Sequence, residues 1–345
     1  MRVLITGGAG YVGSHTTLAL LAAGHEVVIA DNFVNSHRAI VARLIRLSGR
    51  DIPCIEVDLT SEVATERVFE TQSFDAVIHC AGLKSVGESV LAPIEYYRNN
   101  LGSALSVVAA MQKHGVSRLV FSSSATVYGH GATPPFAEGH HRLESTNPYG
   151  QSKVMIERIL ADVALSSAGW KIALLRYFNP VGAHRSGMIG EDPQGIPNNL
   201  MPYVAQVAVG RLPHLTVHGN DYETADGTGE RDYIHIMDLA AGHVAALESL
   251  ERMAYPVRAF NLGTGKPTSV LDLVHAFERA SGRQIPLLFG PRRPGDLAIA
   301  YADSTRANVE LGWRAIRSVD EMCADTWRWQ STNPIGIADA MPSSD

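Results

Sequence analysis

Residues 1–13 read M-R-V-L-I-T-G-G-A-G-Y-V-G, so a short run of strand-forming residues, Arg2–Thr6, leads directly into a glycine-rich turn. A helical pattern begins immediately after the turn. Glycines at such a junction let the backbone turn tightly and approach a pyrophosphate, which then lies on the amides of the helix N-terminus. We therefore predict that this strand, turn and helix form a dinucleotide-binding unit with Gly7, Gly10 and Gly13 in its turn.

Further strands and helices alternate along the first half of the chain. We predict strands at His25–Ala30, Cys54–Val57, Ala76–Cys80, Arg118–Ser122 and Lys171–Tyr177, and helices at Tyr11–Ala23, Glu95–His114 and Tyr149–Ser166. Wholly apolar strands of this kind are typical of a sheet that is covered by helices on both faces. The alternation predicts an α/β fold with a doubly wound parallel sheet of the NAD-binding Rossmann type.

The character of the sequence changes near residue 180. The segment Gly182–Pro202 is rich in glycine, proline and asparagine. It is too long for a structureless connection inside a compact domain unless it has a function. We predict an NAD-binding Rossmann domain over 1–180 and a smaller C-terminal α/β domain over 181–345, with a flexible tail from about residue 335.

Composition excludes several classes of protein. The 345 residues carry a formal net charge of −6, so there is no basic field for nucleic acid or an anionic membrane. The sequence shows no signal-peptide core and no apolar run long enough to span a membrane. The three cysteines are scattered, which predicts a reduced, cytoplasmic protein without disulfides. The histidines, including His140 and His141, form no ligand-like pattern, so we predict no metal site.

The cofactor preference depends on Asp31, at the end of the second predicted strand and 18 residues past Gly13. A carboxylate at this position would accept hydrogen bonds from the adenosine ribose. The next residues, Asn32 and Phe33, offer no guanidinium for a 2′-phosphate. The sequence therefore favours NAD over NADP, although an aspartate that only starts a turn would look the same.

A second motif, Y-G-Q-S-K at 149–153, places a tyrosine and a lysine four residues apart on a predicted helix. Side chains at this spacing face the same way, so the ammonium of Lys153 is expected to lower the pKa of Tyr149 and make it a usable base. The serine run 122–124 follows a predicted central strand, where an open parallel sheet binds its ligand. Ser124 is therefore a candidate to relay a proton.

Longer strings carry a resemblance to one family. T-G-G-A-G-Y-V-G at 6–13, S-S-S-A-T-V-Y-G at 122–129 and the Y-x-x-x-K pair resemble the extended short-chain dehydrogenases/reductases. Collinear strings at 81–90, 176–184, 190–202, 219–222, 226–235 and 292–296 are similar, within that family, to the UDP-hexose 4-epimerases. The resemblance covers nearly the whole chain and implies that the second domain binds a nucleotide-sugar.

The resemblance also implies residue roles, with Ser124, Tyr149 and Lys153 as the catalytic set. NAD would be bound by Gly7, Gly10, Tyr11, Val12, Gly13, Asp31, Asn32, Asn35, Ser36, Asp58, Leu59, Cys80, Ala81, Gly82, Lys84, Asn99, Ser122, Tyr149, Lys153, Tyr177 and Phe178. The UDP-hexose would be bound by Lys84, Ser124, Tyr149, Phe178, Asn179, Asn198, Asn199, Leu200, Thr216, Val217, His218, Arg231, Tyr233, Arg293, Asp296 and Ala300. Arginines suit the diphosphate, because a guanidinium matches phosphate oxygens.

Three positions depart from the family pattern. Cys80 stands where phenylalanine is frequent, and a small buried residue is the simple interpretation. His218 replaces an aromatic carbocycle near the predicted uridine, where an imidazole can still pack. Ala300 stands where a tyrosine would restrict space beside the sugar C2 substituent, so we hypothesise that UDP-GlcNAc and UDP-GalNAc are also interconverted. A specificity-neutral loop alanine is the alternative.

The implied reaction is transient oxidation at the sugar C4, which interconverts UDP-galactose and UDP-glucose. Tyr149 would take the 4-hydroxyl proton directly or through Ser124, hydride would pass to tightly bound NAD, and the 4-keto sugar would rotate before hydride returns. A dehydratase or decarboxylase is disfavoured, because Ala125 and Thr126 cannot protonate a leaving hydroxyl. A dehydrogenase that consumes free NAD and a non-catalytic NAD sensor are further alternatives. The resemblance implies a homodimer through helices near 95–114 and 149–166.

Overall fold

A computed structural model describes residues 1–140, 143–293 and 295–337 of the chain; His141 and the end of the predicted tail lie outside these ranges. The helices are α1 (Tyr11–Ala22), α2 (Ala39–Ser48), α3 (Glu62–Thr71), α4 (Val86–Leu91), α5 (Pro93–Lys113), α6 (Pro148–Ser166), α7 (Leu200–Ala208), α8 (Ile236–Ser249), α9 (Val270–Ser281), α10 (Thr305–Leu311) and α11 (Val319–Thr332). Within the described ranges, no helix is both long enough and apolar enough to cross a membrane.

The strands form one large sheet and three small ones. They are β1 (Arg2–Thr6), β2 (Glu26–Asp31), β3 (Cys54–Glu56), β4 (Ala76–His79), β5 (Arg118–Ser122), β6 (Lys171–Tyr177), β7 (Asn179–Val181), β8 (Leu215–His218), β9 (Glu230–Arg231), β10 (Tyr233–His235), β11 (Val257–Leu262), β12 (Thr268–Ser269), β13 (Leu287–Gly290) and β14 (Ile299–Ala300). The large sheet has seven parallel strands in the order β11-β6-β5-β4-β1-β2-β3, which confirms the predicted fold class.

This strand order fixes where a ligand can bind. The chain leaves β1 in one direction to form β2 and β3, and then crosses back to form β4 on the other side of β1. In an open parallel sheet the crevice lies beyond the carboxyl ends of the strands, at the point where the order reverses. The glycine turn after β1 and the serine run after β5 both lie at this edge.

The two faces of the sheet are buried in separate cores. Along β1 the side chains of Val3 and Ile5 enter the core that α1 and α8 cover, whereas Leu4 enters the opposite core with Phe121 and Leu160. Each of these residues is almost completely inaccessible to solvent. Burial on both faces explains why the strands are continuously apolar instead of alternating.

The sheet extends across the predicted boundary at residue 180. Strands β1, β5 and β6 have the predicted bounds, but the edge strand β11 (Val257–Leu262) comes from the second half and pairs with β6. Helix α8 also returns from that half and packs against α1. The division into domains over 1–180 and 181–345 stays a prediction, since the large sheet takes residues from both ranges.

A third core lies under the small sheets. It is formed by α7, α9 and α11 together with β8, and its buried residues include Phe277 and Met322. Helix α9 begins where the Ser269 hydroxyl accepts a hydrogen bond from the Asp272 amide, and Gly282 ends the helix with a left-handed backbone. This part of the chain carries the loops that face the edge of the large sheet.

Candidate active site

The glycine turn between β1 and α1 is closed tightly by its own backbone. The Gly10 amide donates to the Gly7 carbonyl over 3.1 Å. A Cβ at Gly13 would lie 2.1 Å from the Gly7 carbonyl oxygen, and one at Gly7 would lie 2.8 Å from the Ala81 amide nitrogen. Since backbone atoms cannot rotate away from a new side chain, this cradle requires glycine, and its open side can admit a pyrophosphate.

Asp31 organises the turn that follows β2. Its carboxylate accepts hydrogen bonds of 2.9 Å from the amides of Ala9 and Phe33 and from the Ser36 hydroxyl. The Asp31 carboxylate therefore joins the glycine turn to the end of β2, where a ribose would lie. The residues next to Asp31 in sequence do not reveal one nearby cation. The guanidinium carbon of Arg38 lies 4.7 Å from the centroid of the Phe33 ring.

The charge of Arg38 is countered by Glu56, with which it forms an ion pair. A cofactor carrying a 2′-phosphate would have to compete with that carboxylate and lie close to Asp31. The two carboxylates together favour a free ribose over a phosphorylated one. The arrangement agrees with the preference for NAD that the sequence predicts.

The predicted catalytic residues lie together at the end of β5. Helix α6 starts at Pro148 with Asn147 as its N-cap, whose side chain accepts from the Gly150 amide over 2.9 Å. This start places Tyr149 and Lys153 on the face that meets β5, where the Lys153 ammonium lies 6.0 Å from the Tyr149 ring centroid. Tyr149 is buried, and its phenol is hydrogen-bonded to Ser124.

The pKa of Tyr149 differs from the sequence-based prediction. Burial raises the pKa of this phenol above its ordinary value, and the hydrogen bond from Ser124 opposes the rise only in part. The Lys153 ammonium donates to the Ser122 carbonyl over 2.8 Å instead of to the phenol. Burial also lowers the pKa of Lys153 to about 8. The predicted net lowering of the Tyr149 pKa is therefore wrong for this geometry, since the loss of hydration dominates.

Ser122 is held by a histidine that the sequence did not suggest. His243, on α8, directs Nδ1 at the Leu239 carbonyl over 2.9 Å, so this nitrogen carries the proton and Nε2 accepts from the Ser122 hydroxyl over 2.8 Å. The Cys80 sulfur lies 3.2 Å from the same hydroxyl. Desolvation raises the pKa of Cys80 to about 11, so it is a thiol, but the residue is half-buried and not buried as we expected.

A buried ion pair supports the same loop from behind. Glu157, four residues after Lys153 on α6, accepts from the Ser123 hydroxyl over 2.6 Å and from the Arg176 guanidinium over 2.6 Å. The glutamate locks the register of α6 against the serine run 122–124. The spacing of 149, 153 and 157 along one helix face is the signal that could have found it.

The small sheets bring the predicted substrate residues together. Strand β7 pairs with β10, so Asn179 lies opposite Tyr233, and β14 pairs with β9, so Ala300 lies opposite Arg231. The Arg231 guanidinium lies 3.6 Å from Asp296. Residues from three distant parts of the sequence therefore lie close together.

Asp232, which the sequence did not single out, holds this arrangement. Its amide donates to the Ala300 carbonyl over 3.0 Å, and its carbonyl accepts from the Asn179 amide over 3.0 Å. Its buried carboxylate accepts from the amides of Thr264 and Gly265 over 2.8 and 2.9 Å. One aspartate thus ties Asn179 and Ala300, which the resemblance places around the sugar nucleotide, to the turn at 264–265.

A second carboxylate joins the predicted cofactor and substrate residues. Glu191 accepts from the Lys84 ammonium over 2.9 Å and from the Asn199 side chain over 3.0 Å. The Tyr11 hydroxyl donates to the Gly182 carbonyl over 2.7 Å, and burial raises its pKa well above the ordinary value, with Glu191 adding to the rise. The segment 182–199 therefore lies against Lys84 and the start of α1.

The other predicted residues flank these groups, and their roles stay predictions. Asn32, Asn35, Asp58, Gly82, Asn198 and Arg293 are exposed; Val12, Ala81, Asn99, Tyr177, Leu200, Thr216 and His218 are half-buried; Leu59, Phe178 and Val217 are buried. In the described ranges, no group of three or more histidine, cysteine, aspartate or glutamate side chains is arranged to hold a metal ion.

The sheet, the glycine cradle and the serine–tyrosine–lysine cluster define the class of the extended short-chain dehydrogenases/reductases. A family model described as the NAD dependent epimerase/dehydratase family matches residues 3–263. The chain therefore belongs to the NAD-dependent epimerase/dehydratase family. The cradle and Asp31 fit NAD, because they leave room for a pyrophosphate and present a carboxylate to a ribose.

Individual relatives are similar over almost their whole length. The UDP-glucose 4-epimerase of Bacillus subtilis is 55% identical over 340 residues, which cover 99% of this chain and 100% of the relative. The mouse UDP-glucose 4-epimerase is 52% identical over 342 residues, or 97% and 98% of the two chains. The crystal structure of UDP-glucose 4-epimerase from Bifidobacterium longum in complex with NAD+ and UDP superposes with a TM-score of 0.94 at 50% identity, covering 98% and 100%.

Proposed function

We propose that this chain is a UDP-glucose 4-epimerase, which interconverts UDP-galactose and UDP-glucose with NAD as its resident cofactor. The observation that carries the proposal is the cluster at the end of β5, where the Lys153 ammonium lies 6.0 Å from the Tyr149 ring centroid and donates to the Ser122 carbonyl over 2.8 Å. A base there faces both a cofactor on the cradle and a sugar held from the side of Arg231. The named relatives catalyse the reaction that this geometry suits.

The chain itself supplies proton transfer and positioning. NAD, held by the glycine cradle and Asp31, would supply the redox chemistry, a reversible hydride transfer at the sugar C4. Tyr149 removes the proton from the 4-hydroxyl, and Ser124, hydrogen-bonded to the phenol, can relay it. Lys153 is held beside Tyr149 by the Ser122 carbonyl, from where its charge stabilises a phenolate as it forms.

Elimination chemistry, which other members of such a family perform, lacks its acid in this site. The residue after Ser124 is Ala125, and the next, Thr126, donates its hydroxyl back to the Ser124 oxygen over 3.0 Å. Neither group can protonate a leaving hydroxyl at neutral pH, because neither is a usable acid. The side chains of Ser124, Ala125, Thr126 and Tyr149 therefore favour reversible oxidation at one carbon of the sugar over loss of water.

Purified protein should convert UDP-galactose to UDP-glucose without added NAD, since the cofactor is regenerated in every turnover. Denaturing the same preparation should release close to one equivalent of NAD and little NADP. Chromatographic assay of both sugar nucleotides and of the released cofactor tests this. Dependence on added NAD with net formation of NADH would instead indicate a dehydrogenase, and cofactor without turnover would indicate a sensor.

We also propose that the enzyme accepts N-acetyl sugars, and the supporting feature is Ala300. Its side chain packs against the cluster that contains Phe136 and Phe178, beside the predicted sugar site. A methyl group leaves space there that a larger side chain would fill, and a pocket rejects a larger substrate only when something occupies its space.

Ala300→Tyr should lower kcat/KM for UDP-GlcNAc about tenfold or more while UDP-galactose turnover persists, because the phenol fills the space beside C2. Ala300→Ser, which keeps the space, is the matched control and should behave as the parent does. The proposal is tested by measuring kcat/KM for both pairs of UDP-sugars in the parent and in the two variants. Absent N-acetyl activity in the parent, or unchanged activity in the tyrosine variant, would show that residue 300 is not the gate.

We further propose a homodimer that pairs α5 and α6. The two helices pack side by side, and apolar Leu105 and Met155 are exposed on them, at 50% and 39%. Pairing with a second copy would remove these side chains from water. The mass in solution distinguishes a dimer from a monomer. The cytoplasmic location expected from the scattered cysteines stays a prediction.

A further inference from the structure

Tyr222 lies on the loop after β8, beside the predicted substrate residues. Its side chain is only 7% exposed. Among the residues that the structure describes, none provides a hydrogen-bond partner for its buried hydroxyl. Buried hydroxyl groups are nearly always paired, because an unpaired one loses its hydration without compensation. This orphaned group therefore calls for a partner from outside the chain.

The position of the Tyr222 ring is firmly fixed. The Arg292 guanidinium carbon lies 4.3 Å from the ring centroid, and Arg292 is itself held by an ion pair with Asp221 at 2.8 Å. On another side, a Cβ at Gly219 would lie 2.5 Å from the ring. The Gly219 amide also donates to the Gly290 carbonyl over 2.9 Å. Because the ring is held by these contacts, the position of its hydroxyl group is also fixed.

The charges around the phenol come from the predicted nucleotide-binding segments. Burial raises the pKa of Tyr222, Asp296 adds to the rise, and Arg231 and Arg292 oppose it. The phenol therefore remains protonated near neutral pH and can donate a hydrogen bond. Arg231 and Asp296, 3.6 Å apart, belong to the set that the resemblance places around the UDP-hexose.

We propose that the Tyr222 hydroxyl donates a hydrogen bond to the diphosphate of the bound UDP-hexose. The inference rests on the proposed function and adds one residue to its binding site. The two guanidinium groups near the phenol are each paired with a carboxylate, Arg231 with Asp296 and Arg292 with Asp221. The neutral phenol can donate to an anionic oxygen, and the ligand would supply the acceptor that the described residues do not. Tyr222 thereby helps to hold the diphosphate while the hexose stays free to turn.

Tyr222→Phe removes only the hydroxyl and keeps the ring under Arg292. We expect the Kd for UDP and the KM for UDP-galactose to rise about tenfold, as loss of a hydrogen bond to a charged group predicts. We expect kcat to change less, and retained NAD to stay constant. Without UDP the thermal midpoint should be equal or higher, since no intramolecular hydrogen bond is lost.

Tyr255→Phe is the matched control. Tyr255 also lies under an arginine, with the Arg258 guanidinium carbon 4.9 Å from its ring, but it is 56% exposed and remote from the site. Loss of its hydroxyl should change neither UDP affinity nor turnover. The pair of variants separates the effect of a missing phenol in this site from the general effect of such a substitution.

UDP affinity within twofold of the parent in Tyr222→Phe, measured by calorimetry, would overturn the inference. An equal loss of affinity for uridine would place the hydroxyl on the nucleoside and overturn the assignment to the diphosphate. Either result leaves the proposed function standing if the parent still converts UDP-galactose. A parent without that activity would count against the proposed function itself, so the two failures are distinguishable.

Discussion

Tyr149→Phe is expected to lose about 10²–10⁴-fold in kcat for UDP-galactose, the usual contribution of a positioned acid–base group. The variant keeps the ring that is buried against β5 and removes only the oxygen that contacts Ser124. The fold and the retained NAD should therefore be those of the parent. Steady-state assay with UDP-galactose, beside assay of the released cofactor, makes the measurement.

Ser124→Ala serves as the graded companion, because it removes the relay but leaves the base. We expect its loss of kcat to be smaller than that of Tyr149→Phe. If Tyr149→Phe turns over within about threefold of the parent, Tyr149 is not the base. If it also loses NAD, the phenol has a role in holding the cofactor that the contact with Ser124 does not reveal.

Gly13→Ala is the second large effect that we expect. Its new methyl group would lie 2.1 Å from the Gly7 carbonyl oxygen and 2.7 Å from the Gly8 Cα, and neither backbone atom can rotate away. The turn must open, and the amides that would hold the pyrophosphate move with it. We expect purified Gly13→Ala to retain little NAD and to lose about 100-fold or more in turnover without added cofactor.

Two other glycines calibrate this experiment. A Cβ at Gly10 would lie 3.2 Å from the Gly7 carbonyl oxygen, a tight but tolerable contact, whereas one at Gly139 would have no atom of the described residues within 4 Å apart from its chain neighbours. Retained NAD should therefore fall in the order Gly139→Ala, Gly10→Ala, Gly13→Ala. Should Gly13→Ala prove insoluble, the difference between the other two still tests the cradle. Full retention in Gly13→Ala would mean that the turn is not where NAD binds.

Local patterns predicted most of the sheet, because a pattern of only a few residues indicates each strand and helix there. The glycine turn, Asp31 and the pair Tyr149–Lys153 are read from spacing alone and meet at one edge of the sheet in the structure. The strand bounds are equally local, since a fully buried strand is a short apolar run between polar turns.

What the sequence missed are contacts between distant residues. His243 reaches Ser122 from 121 positions away, and Asp232 joins β7 to β14 across more than a hundred residues. No short pattern signals such pairs. The pKa of Tyr149 was misjudged for a related reason, because helical spacing shows which side chains are neighbours but does not show how completely water is excluded from them.

The edge strand β11 has a consequence for how the protein is made. Until α8 leaves the ribosome the apolar face of α1 lacks its cover, and until Val257–Leu262 follows it β6 has an unpaired edge. Open edges and uncovered apolar faces attract other chains, so a nascent polypeptide of some 180 residues is exposed to aggregation and to chaperone binding. Three quarters of the protein must be translated before its first half can close, which makes synthesis and folding of the two halves inseparable in time.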